Sequence, residues 1–281
     1  MRDFFEKRNI EYFSLVPLSR LKVIKPYLLE KNGFDQGSNV IMMLLPYRSE
    51  IKPQNLTVYA SVPDYHLFVK NLALNAENYV KSKYPNAKFK LFADHSPIDE
   101  VHAACISGLG FIGDNGLLIN EKYSSFVFLC ECITDLGESE LGLSFCKSTG
   151  VSECLHCGRC ARACPSSCIC QGDARLGSKK ECLSALTQKK GAFTPEEERF
   201  IVENGSVWGC DICQNVCPYT LNASYTPIEF FKRGVIPLLT LDTLSSLSED
   251  EFNTRPFAWR GYDTILRNVM LYEKNRREFE K

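Results

Sequence analysis

Cys154-Leu-His-Cys157-Gly-Arg-Cys160-Ala-Arg-Ala-Cys164-Pro165 sets the reading of this chain. Its spacing, C-x₂-C-x₂-C-x₃-C-P, is that of bacterial ferredoxins. Three thiolates two residues apart wrap one cluster on a tight turn. The fourth, followed by proline, leaves that turn and reaches a second cluster. Cys210-Asp-Ile-Cys213-Gln-Asn-Val-Cys217-Pro218 repeats the pattern one ligand short. Two [4Fe–4S] clusters then lack one thiolate, and Cys182, between the two runs, is the natural candidate for it. The expected metal ligands are Cys154, Cys157, Cys160 and Cys217 for one cluster, and Cys164, Cys182, Cys210 and Cys213 for the other. A zinc site would close with four ligands from two CxxC pairs and needs neither the third cysteine nor the Cys-Pro step.

The rest of the composition agrees with a redox protein. The chain has 281 residues, 44% hydrophobic and 24% charged, with a net charge of −1. That is long enough for a substantial core and offers no global field toward nucleic acid or an anionic membrane. Fourteen cysteines could suggest a disulfide scaffold. The N-terminal Met-Arg-Asp-Phe-Phe-Glu-Lys-Arg is not a secretory signal, and the aliphatic run 40–46 is too short to span a bilayer. A cytoplasmic location is therefore expected, where thiols stay reduced and serve metal or redox chemistry. Cys105 and Cys130 sit in apolar contexts and read as core residues, while Cys168 and Cys170 flank the first run as spare thiols.

Ahead of the cysteines, residues 1–36 read as largely helical, with a turn at 33–37 and a strand over 38–46. A helix follows from 63 to 80 on a rough helical period, then a half-exposed strand at 87–92. Ser96, Pro97 and Asp99 read as a helix start with Ser96 as the cap, the helix ending near Gly108. Strands are expected at 117–119 and 125–132 around a turn at 120–124, the second a long apolar run suited to the centre of a sheet. Alternating strands and helices up to about residue 140 point to a layered α/β or α+β structure. The expected divisions are an α/β catalytic domain over 1–148, a cluster domain over 149–222 and a helical segment over 223–281.

Gly108-Leu-Gly-Phe-Ile-Gly113 matches G-x-G-x-x-G, but a helix precedes it where a dinucleotide fold needs a strand. The glycines read instead as a helix exit and a loop that a ligand can approach closely. Asp135 follows the long apolar run, where a carboxyl with a raised pKa could act as an acid or simply close a turn. Tyr65-His66 could be a polar pair or helix-start packing. His156 lies inside the first cluster run. Lys179-Lys180, Lys189-Lys190 and Arg276-Arg277 are basic pairs that read as solvated surface.

Taken together and in order, several segments resemble the epoxyqueuosine reductases. They are Tyr59-Ala-Ser-Val-Pro-Asp-Tyr-His66, Asp94-His-Ser-Pro97, Gly108-Leu-Gly-Phe-Ile-Gly-Asp-Asn115, Ser125-Phe-Val-Phe-Leu129, Thr134-Asp-Leu136, both cysteine runs and Leu266-Arg-Asn268. The resemblance implies an α+β chain: a cofactor domain like those of flavin nitroreductases and reductive dehalogenases, followed by a bacterial-ferredoxin-like double-cluster domain. It implies a cobalamin held beside the clusters, fed with single electrons, that removes an epoxide oxygen to complete queuosine in tRNA. The cofactor-binding positions it implies are Tyr65, His66, Asp94, Ser96, Gly110, Gly113, Asn115 and Ser125. The family's proton-donating aspartate, taken from a Thr-Asp-Leu-like motif, falls on Asp135.

Two departures bear on the substrate. The chain stops about where the family's C-terminal helical-repeat region begins, and Gly113-Asp-Asn115 carries an acid where the family carries lysine. Both weaken the expectation of tRNA as partner. The expected electron donor is a flavodoxin or ferredoxin, and the expected state is a monomer without membrane contact. Two rival readings remain: a related cobalamin-dependent reductase of a small molecule, and a non-enzymatic ferredoxin-like electron carrier. The carrier has no use for the roughly 150 residues that precede the clusters.

Overall fold

The structure is a computed structural model that describes residues 1–146, 153–169 and 182–279, with the backbone alone for 275–279. Cys170, Lys179-Lys180, the side chains of Arg276-Arg277 and the expected boundary at 148 lie outside the described residues.

The chain runs through β1 (Tyr12–Pro17), β2 (Asn39–Pro46), β3 (Phe89–Phe92), the two-residue strands β4 (Phe111–Ile112) and β5 (Leu118–Ile119), and β6 (Val127–Thr134). Four of these form one sheet in the order β1-β2-β6-β3, every neighbouring pair antiparallel. The antiparallel sheet makes the molecule α+β. The two apolar runs of the sequence become its two central strands. β2 is buried in every residue but its first. Such a strand needs cover on both faces.

That cover comes from α1 (Arg2–Glu6), α2 (Pro26–Lys31), the short α3 (Val58–Ser61), α4 (Tyr65–Lys81) and α5 (Glu100–Ile106). Ile41, Met43, Leu45, Cys130 and Cys132 point to one face and pack with Phe5 of α1 and with Val69, Leu72, Ala76 and Val80 of α4. Those four α4 residues recur at three- and four-residue steps and line one side of the helix. Val40, Met42, Leu44 and Ile133 point to the other face, with Leu29 of α2 and Ala103 and Ala104 of α5. Cys130 is core, as expected; Cys105 is half-buried beside the second face.

Three local expectations are corrected. Residues 12–17 are a strand, not helix, because β2 offers them a hydrogen-bonding edge and both cores take their alternating side chains. The helix over 100–106 is capped by Asp99, whose carboxylate accepts from the His102 amide at 3.2 Å. Ser96 cannot cap it, since its hydroxyl is bonded to Glu131 and accepts from the Ile98 amide. β5 pairs with β4, not with β6.

The β4–β5 hairpin is tight. A Cβ on Gly110 would stand 2.4 Å from the Ile119 carbonyl oxygen. Gly110→Ala must push the two strands apart. It is expected to lower stability by about 1–3 kcal/mol, read as a shifted denaturant midpoint at unchanged m-value.

Beyond the sheet, the chain continues through α6 (Glu138–Leu141), α7 (Arg159–Ala163), α8 (Leu183–Thr187), α9 (Pro195–Asn204) and α10 (Ile212–Asn215). The C-terminal part adds α11 (Leu241–Ser246), α12 (Glu249–Asn253) and α13 (Tyr262–Phe279). Its core gathers on the fully buried Trp208, with Phe257, Ile265 and Val269, and reaches Leu56 and, on α3, Ala60. Asn268 of α13 donates to the carbonyls of Thr187 and Val207 at 2.7 and 2.8 Å. The C-terminal helices therefore brace the cysteine-bearing loops from behind. Among the described residues, no helix is long and apolar enough to cross a membrane.

Candidate active site

A cavity of about 790 Å³ opens between the sheet layer and the cysteine-bearing loops. Val127, Phe128 and Leu129 at the start of β6 form its apolar side, and Tyr65 of α4 stacks on Phe128 with ring centroids 4.2 Å apart and planes 9° from parallel. The opposite wall carries Cys164, Cys168, Cys182, Cys210 and Cys213. A second, small cavity of about 20 Å³ is lined by Cys154, Cys157, Cys160 and Cys217. Both proline-linked cysteines thus cross over: Cys164 lies with the later run and Cys217 with the earlier one. Burial, the largest cause, pushes the Cys210 thiol up to about 11 and raises Cys213 further. Thiols so placed become thiolates together only when a positive metal neutralises them. Cys168 is a thiol beyond these two sets, its sulfur 3.5 Å from that of Cys164.

At the end of the large cavity nearest α4, the chain assembles a polar group. Asp64 caps α4 through the His66 amide at 2.9 Å and takes His66 Nδ1 at 2.8 Å. His66 Nε2 lies 3.3 Å from Asp94 Oδ2. Hydrogen bonds to Asp64 and Asp94 raise the imidazole to about 10, so it is a cation at neutral pH. The His66 hydrogen bond, the largest cause, in turn lowers the Asp94 carboxyl, and Tyr65 also bonds it. Asp94 sits at φ +57 in the loop after β3. Aspartate tolerates this left-handed conformation better than most residues, and the conformation turns its carboxyl toward the cavity.

Behind Asp94 stands Glu100, whose Oε1 accepts from the Asp94 amide at 3.2 Å. Burial first, then the Asp94 charge, push Glu100 up to about 7. The native state therefore holds a proton that the unfolded chain, at 4.5, releases. Stability is expected to fall as pH rises from about 4.5 toward 7, since the unfolded state binds fewer protons there. Glu100→Gln should flatten that slope in denaturant titrations across the window.

At the far side, Asn115 and Ser125 line the cavity. Ser125 donates to Gln214 Oε1 at 2.8 Å, and Gln214 donates to Asp211 at 2.6 Å. Asp211 also accepts from the Val58 amide at 2.7 Å, and burial pushes it up to about 6.

Tyr65, His66, Asp94, Asn115 and Ser125 thus meet around one cavity. Ser96 lies buried beneath it, bonded to Glu131. Gly110 belongs to the hairpin, and Gly113 lines the small cavity. Asp135 is elsewhere: it is exposed at the end of β6, outside the cavity lining, and accepts from the Lys88 amide at 3.0 Å. Its carboxyl closes the β3–β6 end as a turn residue does. Asp114 is buried at the small cavity, where its Oδ1 lies 2.7 Å from His156 Nδ1. Sequence reasoning missed Glu100 and Glu131. The signal available for Glu131 was one acid inside Phe126-Val-Phe-Leu-Cys-Glu-Cys-Ile133.

The cavity suits a flat macrocycle with an amide rim. It offers stacked rings and aliphatic side chains to the flat face, and Asn115, Ser125 and Gln214 as hydrogen-bonding partners for amides.

Residues 153–220 match the 4Fe-4S double cluster binding domain. The epoxyqueuosine reductase of Lactococcus garvieae is 31% identical over 215 residues, 74% of this chain and 58% of its own length. That of Listeria monocytogenes is 28% identical over 256 residues, 85% of this chain and 64% of its own. The chain thus spans somewhat over half the length of these curated relatives. The structure of epoxyqueuosine reductase from Streptococcus thermophilus superposes with a TM-score of 0.75 at 23% identity, covering 98% of this chain and 80% of that one. An epoxyqueuosine reductase solved with an epoxyqueuosine-modified tRNA stem loop gives 0.73 at 22% identity, covering 96% and 80%. These likenesses show the fold.

Proposed function

The chain is a relative of the epoxyqueuosine reductases carrying a double [4Fe–4S] cluster domain, and from that premise we propose that it is a cobalamin-dependent reductase that removes the epoxide oxygen of epoxyqueuosine in tRNA. The observation that carries the reading is the cavity itself. Cysteines wall it on one side, and a loop carboxylate held by Tyr65 and His66 stands on the other. Electrons and protons can thus reach one enclosed space from separate directions. An electron carrier has no use for such a space.

Cys164, Cys182, Cys210 and Cys213 hold the cluster that faces the cavity, and Cys154, Cys157, Cys160 and Cys217 hold the outer one. Cobalamin bound in the cavity would supply the reducing cobalt centre. The chain's own residues do the rest. Tyr65 and Phe128 offer the flat apolar surface, and Asn115 and Ser125 hold amide groups of the rim. Asp94, not Asp135, relays the proton to the departing oxygen, because it borders the cavity and its carboxylate is hydrogen-bonded to the His66 cation. His66 orients it. The overall change takes two electrons and two protons, breaks two C–O bonds, forms one C=C bond and releases water. Electrons arrive from a flavodoxin- or ferredoxin-like donor in the cytoplasm, and the enzyme acts as a monomer.

The test is anaerobic purification with reconstitution, followed by iron and cobalt analysis. About eight irons and one cobalamin per chain are expected. A protein that takes up its iron but never binds cobalamin would contradict the reading.

A further inference from the structure

One acid of the central sheet has no part in the reaction above. Glu131 lies in the middle of the central strand β6 with no exposed surface, between Met42 on β2 and Phe92 on β3. Its Oε1 takes the hydroxyl of Ser96. Its Oε2 is buried without a donor among the described residues. The group that meets it is the carboxyl of Glu100, at the first turn of α5. Two carboxylates cannot face each other ionised in such a place, whereas one shared proton satisfies the orphan oxygen. Glu100 in turn borders the cavity and is anchored on the Asp94 amide.

We propose that Glu100 and Glu131 form a proton-sharing acid pair behind Asp94 that supplies the second proton of the reduction. The inference rests on the reductase reading above. The first proton passes from the His66 cation through the Asp94 carboxylate to the opening epoxide oxygen. The Asp94 carboxylate then takes the one proton that Glu100 and Glu131 share and passes it on, the oxygen leaves as water, and solvent protons restore His66 and the pair. The two electrons come from the external donor through the clusters. Asp94, Tyr65 and Lys25 are the titratable groups that face Glu100, and Cys130 neighbours both acids on β6. Burial holds Glu131 protonated well above the usual carboxylate range.

The test combines infrared spectroscopy with kinetics on the reconstituted holoenzyme. Wild type should show a protonated-carboxyl C=O band at neutral pH that shifts in D₂O and disappears in Glu131→Gln. The amide fills the same volume and keeps a partner for Ser96. Glu100→Gln and Glu131→Gln should lower kcat by about 10²-fold, with KM and cofactor binding unchanged and a loss that shrinks above about pH 7, where the wild-type pair gives up its own proton. Absence of the band in wild type overturns the pair, even if a variant fails to fold. A band with both kcat–pH profiles unchanged overturns the delivery role. Wild-type inactivity on tRNA overturns that role through the reductase reading itself, and a band that persists then identifies which of the two has failed.

Discussion

Asp94→Asn is expected to leave iron content and cobalamin binding unchanged and to lower kcat by about 10²–10⁴-fold, the range for loss of a positioned proton donor. Asn fills the same space and tolerates the left-handed conformation at φ +57, so the loop should keep its course. It cannot take up a proton and pass it on as the Asp94 carboxylate does. His66 keeps its second partner, Asp64, which lies 2.8 Å from Nδ1 in the wild type. The parallel variant Asp135→Asn should keep full activity, because that carboxyl only accepts from the Lys88 amide at an exposed strand end. Measuring kcat and KM for both variants on one substrate separates the two aspartates. An inactive Asp135→Asn beside an active Asp94→Asn would return the acid role to the strand end.

Cys182→Ala should leave about four irons per chain in place of about eight and abolish turnover. Cys182 stands at the start of α8, away from both cysteine runs in sequence, yet it lines the large cavity with Cys164, Cys210 and Cys213. On the proposed reading, losing it opens the cluster that faces the cavity and cuts the electron path at its last step. The outer site keeps its own four thiols and its iron. Retention of all iron would overturn the grouping. Cys168 is then the first residue to examine, given its 3.5 Å approach to Cys164.

How far the sequence could be read depended on the range of the forces involved. Cluster ligation is local chemistry written in spacing, so the two runs stood out from residue types alone. β2 and β6 were legible because an unbroken apolar run has few places to go other than the middle of a sheet. β1 was not legible, since residues 12–17 become a strand only through the edge that β2 offers from 22 residues away. Ser96 carried a good capping signal and spent its hydroxyl on Glu131 instead. Asp94 and Asp135 were both acids near strand ends. Only the fold shows that one borders the cavity and the other lies outside its lining, although both are exposed. Glu131 was hidden by its surroundings: the apolar run that announced a central strand also contained the acid that such a strand must keep protonated.

The activity proposed for this cavity is reductive removal of an oxygen. Its most direct test is anaerobic incubation of the reconstituted protein with cobalamin, a reducing system and a tRNA stem loop bearing epoxyqueuosine, followed by mass spectrometry of the released nucleosides. Conversion to queuosine, lighter by one oxygen, is the expected result. Unchanged epoxyqueuosine, with cobalamin bound and both clusters reduced, would contradict it.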